Sequence, residues 1–216
     1  MKKIHLCLVT FGVIIGVVGI LHGCAELLRG SSLVGVHAVE ALPPDWPNAQ
    51  FYGVMKGAPV FSLLTGVPFF VLGLLAISVS VTLIVVSVTF LRGDVGLSKR
   101  GLAVFALLNV GVFLFGAGEG TPIAIGLPTL IVGALSLGMT KMTSRSLATG
   151  EKLSAAFYMF YGLQIFSWVL FFPGLFVLSF YGEIPWALFM FDFWIMPVSI
   201  LGALSFGMLH DRSTFE

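Results

Sequence analysis

Residues 128–139 read P-T-L-I-V-G-A-L-S-L-G-M, and residues 197–208 read P-V-S-I-L-G-A-L-S-F-G-M. Proline, the Gly-Ala-Leu-Ser core and the closing Gly-Met recur in register, each time inside an apolar run long enough to cross a bilayer. A weaker echo, P-F-F-V-L-G-L-L-A, occupies residues 68–76. Small-xxx-small pairs such as Ala134/Gly138 and Ala203/Gly207 let helices approach closely, so convergence on packing is a competing explanation. Packing does not require the matching Pro, Leu, Ser and Met, which favours duplication. Gly133, Ala134, Gly138, Gly202, Ala203 and Gly207 are therefore the expected helix-packing positions.

The surrounding composition fits this reading. The chain has 216 residues, of which 58% are hydrophobic and 10% charged, whereas soluble domains carry roughly 25% charged residues. Net charge is +1 and no basic run is present, which argues against nucleic acid as a partner. Cys7 and Cys24 lie seventeen residues apart in one apolar run. A straight helix would separate them by about 25 Å, too far for a disulfide. No Cys-x-x-Cys motif occurs, and no cofactor is implied.

Hydropathy divides the chain into six candidate spans at 4–28, 60–91, 101–117, 122–140, 153–180 and 186–209, with one long loop at 29–59. The expected fold is an all-α polytopic membrane protein of six transmembrane helices, arranged as three in–out–in hairpins with parallel pseudo-repeats in a single domain. With the N-terminus inside, nine of the eleven Lys and Arg residues fall on the inner side, and only Arg29 and Lys56 lie outside. Both termini are thus expected in the cytoplasm of a cell whose inner (plasma) membrane holds the protein. Span two is too long for a bilayer, and Pro68 is expected to divide an interfacial piece from the true span.

Residues 1–24 also resemble a bacterial lipoprotein signal, ending in Leu21-His22-Gly23-Cys24. Histidine is a poor fit before that Gly-Cys pair, so residues 4–28 are read as a retained helix.

Function is sought in polar residues within apolar segments. Asp192 is the one acid well inside a span, and intramembrane carboxylates are expensive. Glu26, Glu119 and Glu183 follow the first helix of each hairpin and suggest an acidic outer vestibule. His22 and Glu26 share a helical face, suitable for an interfacial pair, a metal or a proton relay. Tyr161, Gln164 and Trp168 form one stripe, Ser78, Thr82 and Thr89 another, and Asn109 lies in span three. Such stripes commonly hydrogen-bond between helices.

No His-Glu-x-x-His, Gly-x-Ser-x-Gly or Walker motif is present. The leading expectation is a non-catalytic subunit or scaffold of a membrane complex. Its partners would be the bilayer and other membrane subunits or a second copy. One alternative is a small-solute or ion transporter, or a substrate-binding component, using Asp192, the three glutamates, His22, Gln164 and Asn109. The other is an intramembrane metal enzyme built on His22, Glu26 and Asp192.

Overall fold

The computed structural model describes residues 3–28, 30–33, 64, 66–89, 99–115, 125–138, 147–170 and 186–214; at 99, 136–138, 147–149, 186–193 and 214 only the backbone is described. Among the described residues the named elements are helices: α1 (Lys3–Leu28), α2 (Phe69–Thr89), α3 (Lys99–Phe115), α4 (Leu127–Gly138), α5 (Leu147–Val169) and α6 (Trp186–Thr214). Among these, α1 and α2 are long and apolar enough to cross a membrane, and α3 is a shorter apolar helix.

Helix α1 is the hub, packing on α2, α3, α4 and α6. Its removal as a cleaved signal would take Ile4, Leu8, Phe11 and Ile15 out of the core. Both of its ends are fastened. At the start, the Asp211 carboxylate of α6 accepts the backbone N–H groups of Lys3 (2.8 Å) and Ile4 (2.9 Å), two donors that a helix cannot satisfy internally. At the far end, Gly30 adopts φ 62° and its N–H closes on Leu27 O at 3.1 Å, a left-handed stop that glycine tolerates.

The chain then serves α2. Gly30 O and Ser32 O accept from Phe70 N (3.0 Å) and Phe69 N (2.9 Å), while Pro68 has no N–H to satisfy. Helix α2 accordingly starts at Phe69, one residue past the proline of the weak echo.

The directions of these six helices follow from a few contacts. Gly12 and Gly19 of α1 face Phe105 and Val112 of α3, both 93 positions on, so α1 and α3 are parallel. Lys3 bonds Ser154 and Thr10 bonds Tyr161, both across 151 positions, so α5 is parallel to them as well. Each even helix runs against its predecessor. Gly12 meets Ser87 while Gly23 meets Gly73; Leu102 meets Gly133 while Asn109 meets Gly126; and Phe157 meets Gly207 while Phe160 meets Gly202. The result is three antiparallel hairpins pointing the same way.

The same contacts fix depth. Gly133 faces Leu102, three residues before Phe105, and Gly202 faces Phe160, one residue before Tyr161. Referred to α1, both glycines stand level with Val9. The two strong copies of the phrase therefore lie at one depth, each with its glycine against the preceding helix. The weak echo differs. Its Gly73 faces Gly23 and Leu27, at the opposite end of the bundle.

The prolines of the strong copies have different local roles. Pro128 opens α4, where a missing N–H is harmless, whereas Pro197 lies inside the 29-residue α6 and removes one helical hydrogen bond.

Candidate functional site

The closest packing in the structure involves a run that the reading above passed over. In F-G-V-I-I-G-V-V-G-I-L-H-G (11–23), Gly12, Gly16, Gly19 and Gly23 recur at spacings of four, three and four. They form a groove on α1 that receives Ser87, Ile84, Ser80 and Ile77 of α2. The Ser80 and Ser87 hydroxyls are fully buried in this seam and have no hydrogen-bond partner among the described residues. They act there by being small. The signal was available as glycine spacing, independent of any polarity.

The predicted stripe on α2 instead faces out. Ser78 and Thr82 are exposed, and each hydroxyl returns to the carbonyl four residues earlier (Leu74 O, 2.7 Å; Ser78 O, 2.8 Å). That arrangement satisfies a hydroxyl with no outside donor or acceptor. Thr89 turns back on Val86 O.

The α5 stripe faces inward. Gln164 is buried and ties α5 to α6. Its oxygen accepts from Trp168 Nε1 (2.9 Å), and its amide nitrogen donates to Met196 O (3.0 Å) and to Ser199 Oγ. Ser199 Oγ donates to Met196 O at 2.8 Å. Tyr161 reaches α1 through Thr10. Replacing Gln164 with leucine should cost about 1–2 kcal/mol, the scale of an interhelical polar contact within a bilayer. Unfolding of the purified protein in mixed micelles measures this; wild-type stability in the variant would show that the network is energetically idle.

Asn109 is also buried. Its Nδ2 donates to Phe105 O at 2.7 Å, and its Oδ1 faces Gly126 at the entry to α4. Gly126 makes room for the amide, since a β-carbon there would overlap it.

The packing residues separate by position. Gly133, Ala203 and Gly207 are buried, Gly202 is half-buried against Phe160, and Ala134 lies on the exposed side of α4. Only the helical backbone is described at Gly138, and Glu119 and Glu183 lie outside the described residues. Asp192 sits on the helical backbone of α6, but its side chain is likewise outside them.

His22 and Glu26 do come together, with Nε2 and Oε1 3.5 Å apart. Glu26 is only 3% exposed, and neither carboxylate oxygen has a hydrogen-bond partner among the described residues. Among the described residues no three His, Cys, Asp or Glu side chains are grouped to hold a metal.

A second polar cluster, at the other end of α1, was not anticipated. Lys3 is buried, donates through Nζ to Ser154 Oγ (2.7 Å), and lies 3.9 Å from the Tyr158 ring centroid and 4.8 Å from that of Phe157. His210 Nδ1 is 3.5 Å from the Asp211 carboxylate that caps α1. Arg212 reaches Leu135 O in the last turn of α4 at 3.3 Å. Held over two aromatic faces and bonded to Ser154, Lys3 serves as a donor and an anchor.

No protein-family model matches the chain, and no curated protein or solved structure is significantly similar to it.

Proposed function

We propose that the protein is a six-span integral membrane protein acting as a non-catalytic subunit or scaffold of a membrane complex. The carrying observation is how its polar core is used. Gln164, Ser199, Thr10 and Tyr161 bond helix to helix, Asn109 bonds its own helix beside Gly126, and Lys3 and Asp211 fasten helix ends. Each of these groups makes a contact within the helix bundle.

Two further observations support membrane insertion. Helix α2 carries no charged residue and exposes Phe70, Leu74, Val81 and Val85, with Ser78 and Thr82 bonded to their own helix. In water such a face would be strongly unfavourable; in hydrocarbon it is the expected surface. The three parallel hairpins, and the common depth of Gly133 and Gly202, agree with a duplicated in–out–in unit. The nine-to-two distribution of Lys and Arg then orients both termini to the cytoplasmic side of the plasma (inner) membrane.

Orientation is tested with single cysteines in a background lacking Cys7 and Cys24. Lys56→Cys should react with a membrane-impermeant maleimide on intact cells, and Lys141→Cys only after permeabilisation. The opposite pattern, or labelling of both on intact cells, rejects the arrangement. The scaffold role is tested by purifying the tagged chain from its native membrane under mild conditions. A membrane protein recovered in fixed stoichiometry is the expected result. Recovery of the chain alone with a retained small solute, together with loss of uptake on Asp192→Asn, would instead establish transport.

A further inference from the structure

The two strong copies of the phrase turn opposite helical faces to the bundle. In α4, Thr129 and Val132 are buried, while Ile131, Ala134 and Leu135 are exposed. In α6 the equivalent positions are reversed. Val198 and Leu201 are exposed there, and Ile200, Ala203 and Leu204 are completely buried in the core. Residues at i, i+3 and i+4 share one helical face. Leu127, one turn before Ile131, is also exposed and extends that face on α4.

The exposed set is chemically the same as the buried one. Ile131, Ala134 and Leu135 match Ile200, Ala203 and Leu204 residue for residue. The copies diverge instead at Thr129/Val198 and Val132/Leu201. On the duplication reading, the positions that α4 turns outward have been kept and two that it buries have changed. A surface that met only lipid would be expected to show the reverse, because hydrocarbon does not select one aliphatic side chain over another. In α6 this Ile-x-x-Ala-Leu surface is closed over by the chain's own helices, since α6 packs on α1, α4 and α5. It is a surface built to receive a helix.

We infer that Leu127, Ile131, Ala134 and Leu135 of α4 form a homodimer interface, occupied by α4 of a second copy of this chain. The four side chains carry no charge and no hydrogen-bonding group, so they offer a polar partner nothing to recognise. The face is self-complementary. About a two-fold axis along the membrane normal, both α4 helices run the same way and the same patch meets itself. The short Ala134 of each then lies at the crossing, flanked by the larger Ile131 and Leu135, which is how small residues let helices approach in a bilayer. This inference rests on the membrane-embedded reading proposed above and names one partner for it.

The test uses the full-length chain in its native membranes, with Cys7 and Cys24 removed. Ala134→Cys is oxidised with copper phenanthroline beside Val81→Cys and Val85→Cys, two exposed positions on α2. Ala134→Cys should give a disulfide-linked species of twice the chain mass, several-fold more than either control, because the bond demands close, aligned β-carbons. The membranes are first washed with alkaline carbonate. Release of the chain would reject membrane insertion and the interface with it, whereas retention with equal cross-linking at all three sites would reject the interface alone. A product of another mass would name a different protein as the occupant and overturn the proposal. In mild detergent, Ala134→Phe should weaken dimerisation at least about tenfold, the effect of overpacking a close helix contact. Its far-UV circular dichroism should be that of the wild type, since position 134 is exposed in the single chain. Ala203→Phe, at the equivalent buried position, should instead destabilise the fold itself. A wild type that is monomeric in both membranes and detergent, or an Ala134→Phe variant as dimeric as the wild type, refutes the interface.

Discussion

Gly73→Ala is expected to destabilise the protein by about 3 kcal/mol, the upper part of the range for overpacking a well-filled interface. A β-carbon at Gly73 would lie 2.6 Å from the carbonyl oxygen of Gly23 and 3.0 Å from the backbone nitrogen of Leu27. Neither obstacle is a side chain that can rotate away, so α1 and α2 must separate. Gly23 shows the reciprocal contact, with Gly73 O 2.9 Å from its would-be β-carbon. Opposing this, alanine gains up to about 1 kcal/mol over glycine in helix propensity. The clash is the larger effect, and separation also loosens the seam at Gly12, Gly16 and Gly19. Gly162→Ala is the control, because a β-carbon there meets nothing within 4 Å. It should leave stability equal or slightly raised. Unfolding of both variants in mixed micelles decides the matter: equal stabilities would mean that the α1–α2 approach is not tight in the folded protein.

That contrast bears on what the sequence can reveal. In a water-soluble helix the inward face announces itself by polarity. Here both faces are apolar, since the outward one meets residues such as Val81 and Val85 and the inward one Leu72 and Leu83. Polarity then misleads, and Ser78 and Thr82 were assigned inward while Ser80 and Ser87 occupy the seam. Size is the surviving signal, and the glycines of α1 carry it. Gln164 was legible because an amide in an apolar helix needs partners wherever it faces. The repeated phrase was legible as identity, but its equivalence in depth required the contacts of Gly133 and Gly202. The echo at 68–76 shares the words of the phrase and marks a different place, the start of α2 beside the end of α1. Burial of Glu26 was not legible at all: it follows from how the end of α1 packs, and a carboxylate near a helix end reads equally well as solvated.

Phe157→Ala should be among the most damaging single changes, at about 3–5 kcal/mol for a fully buried aromatic ring. The ring fills the space between α5 and α6 and is completely buried. It stacks on Tyr161, with centroids 5.5 Å apart and planes 18° from parallel, and it supports the Lys3 ammonium from below. Its removal therefore opens a cavity and withdraws one face of the Lys3 anchor together. On the other side is Gly207 of the second phrase, whose would-be β-carbon falls 3.1 Å from two atoms of the ring. This geometry predicts opposite signs for one substitution in two backgrounds. Gly207→Ala alone presses on the ring and should lower stability. In the Phe157→Ala background the added methyl enters the vacated space and should raise it. The two changes are in contact, so their coupling should lie within the roughly 0.5–3 kcal/mol found for neighbouring residues. Helix propensity favours alanine in both backgrounds and cancels from the difference. A coupling of zero would mean that Gly207 is not where α6 meets Phe157. A coupling of the predicted sign would identify Gly207 of the second copy as a seat for a ring of the preceding helix, the role that Gly202 plays for Phe160 five residues earlier, whereas Gly133 of the first copy seats the aliphatic Leu102.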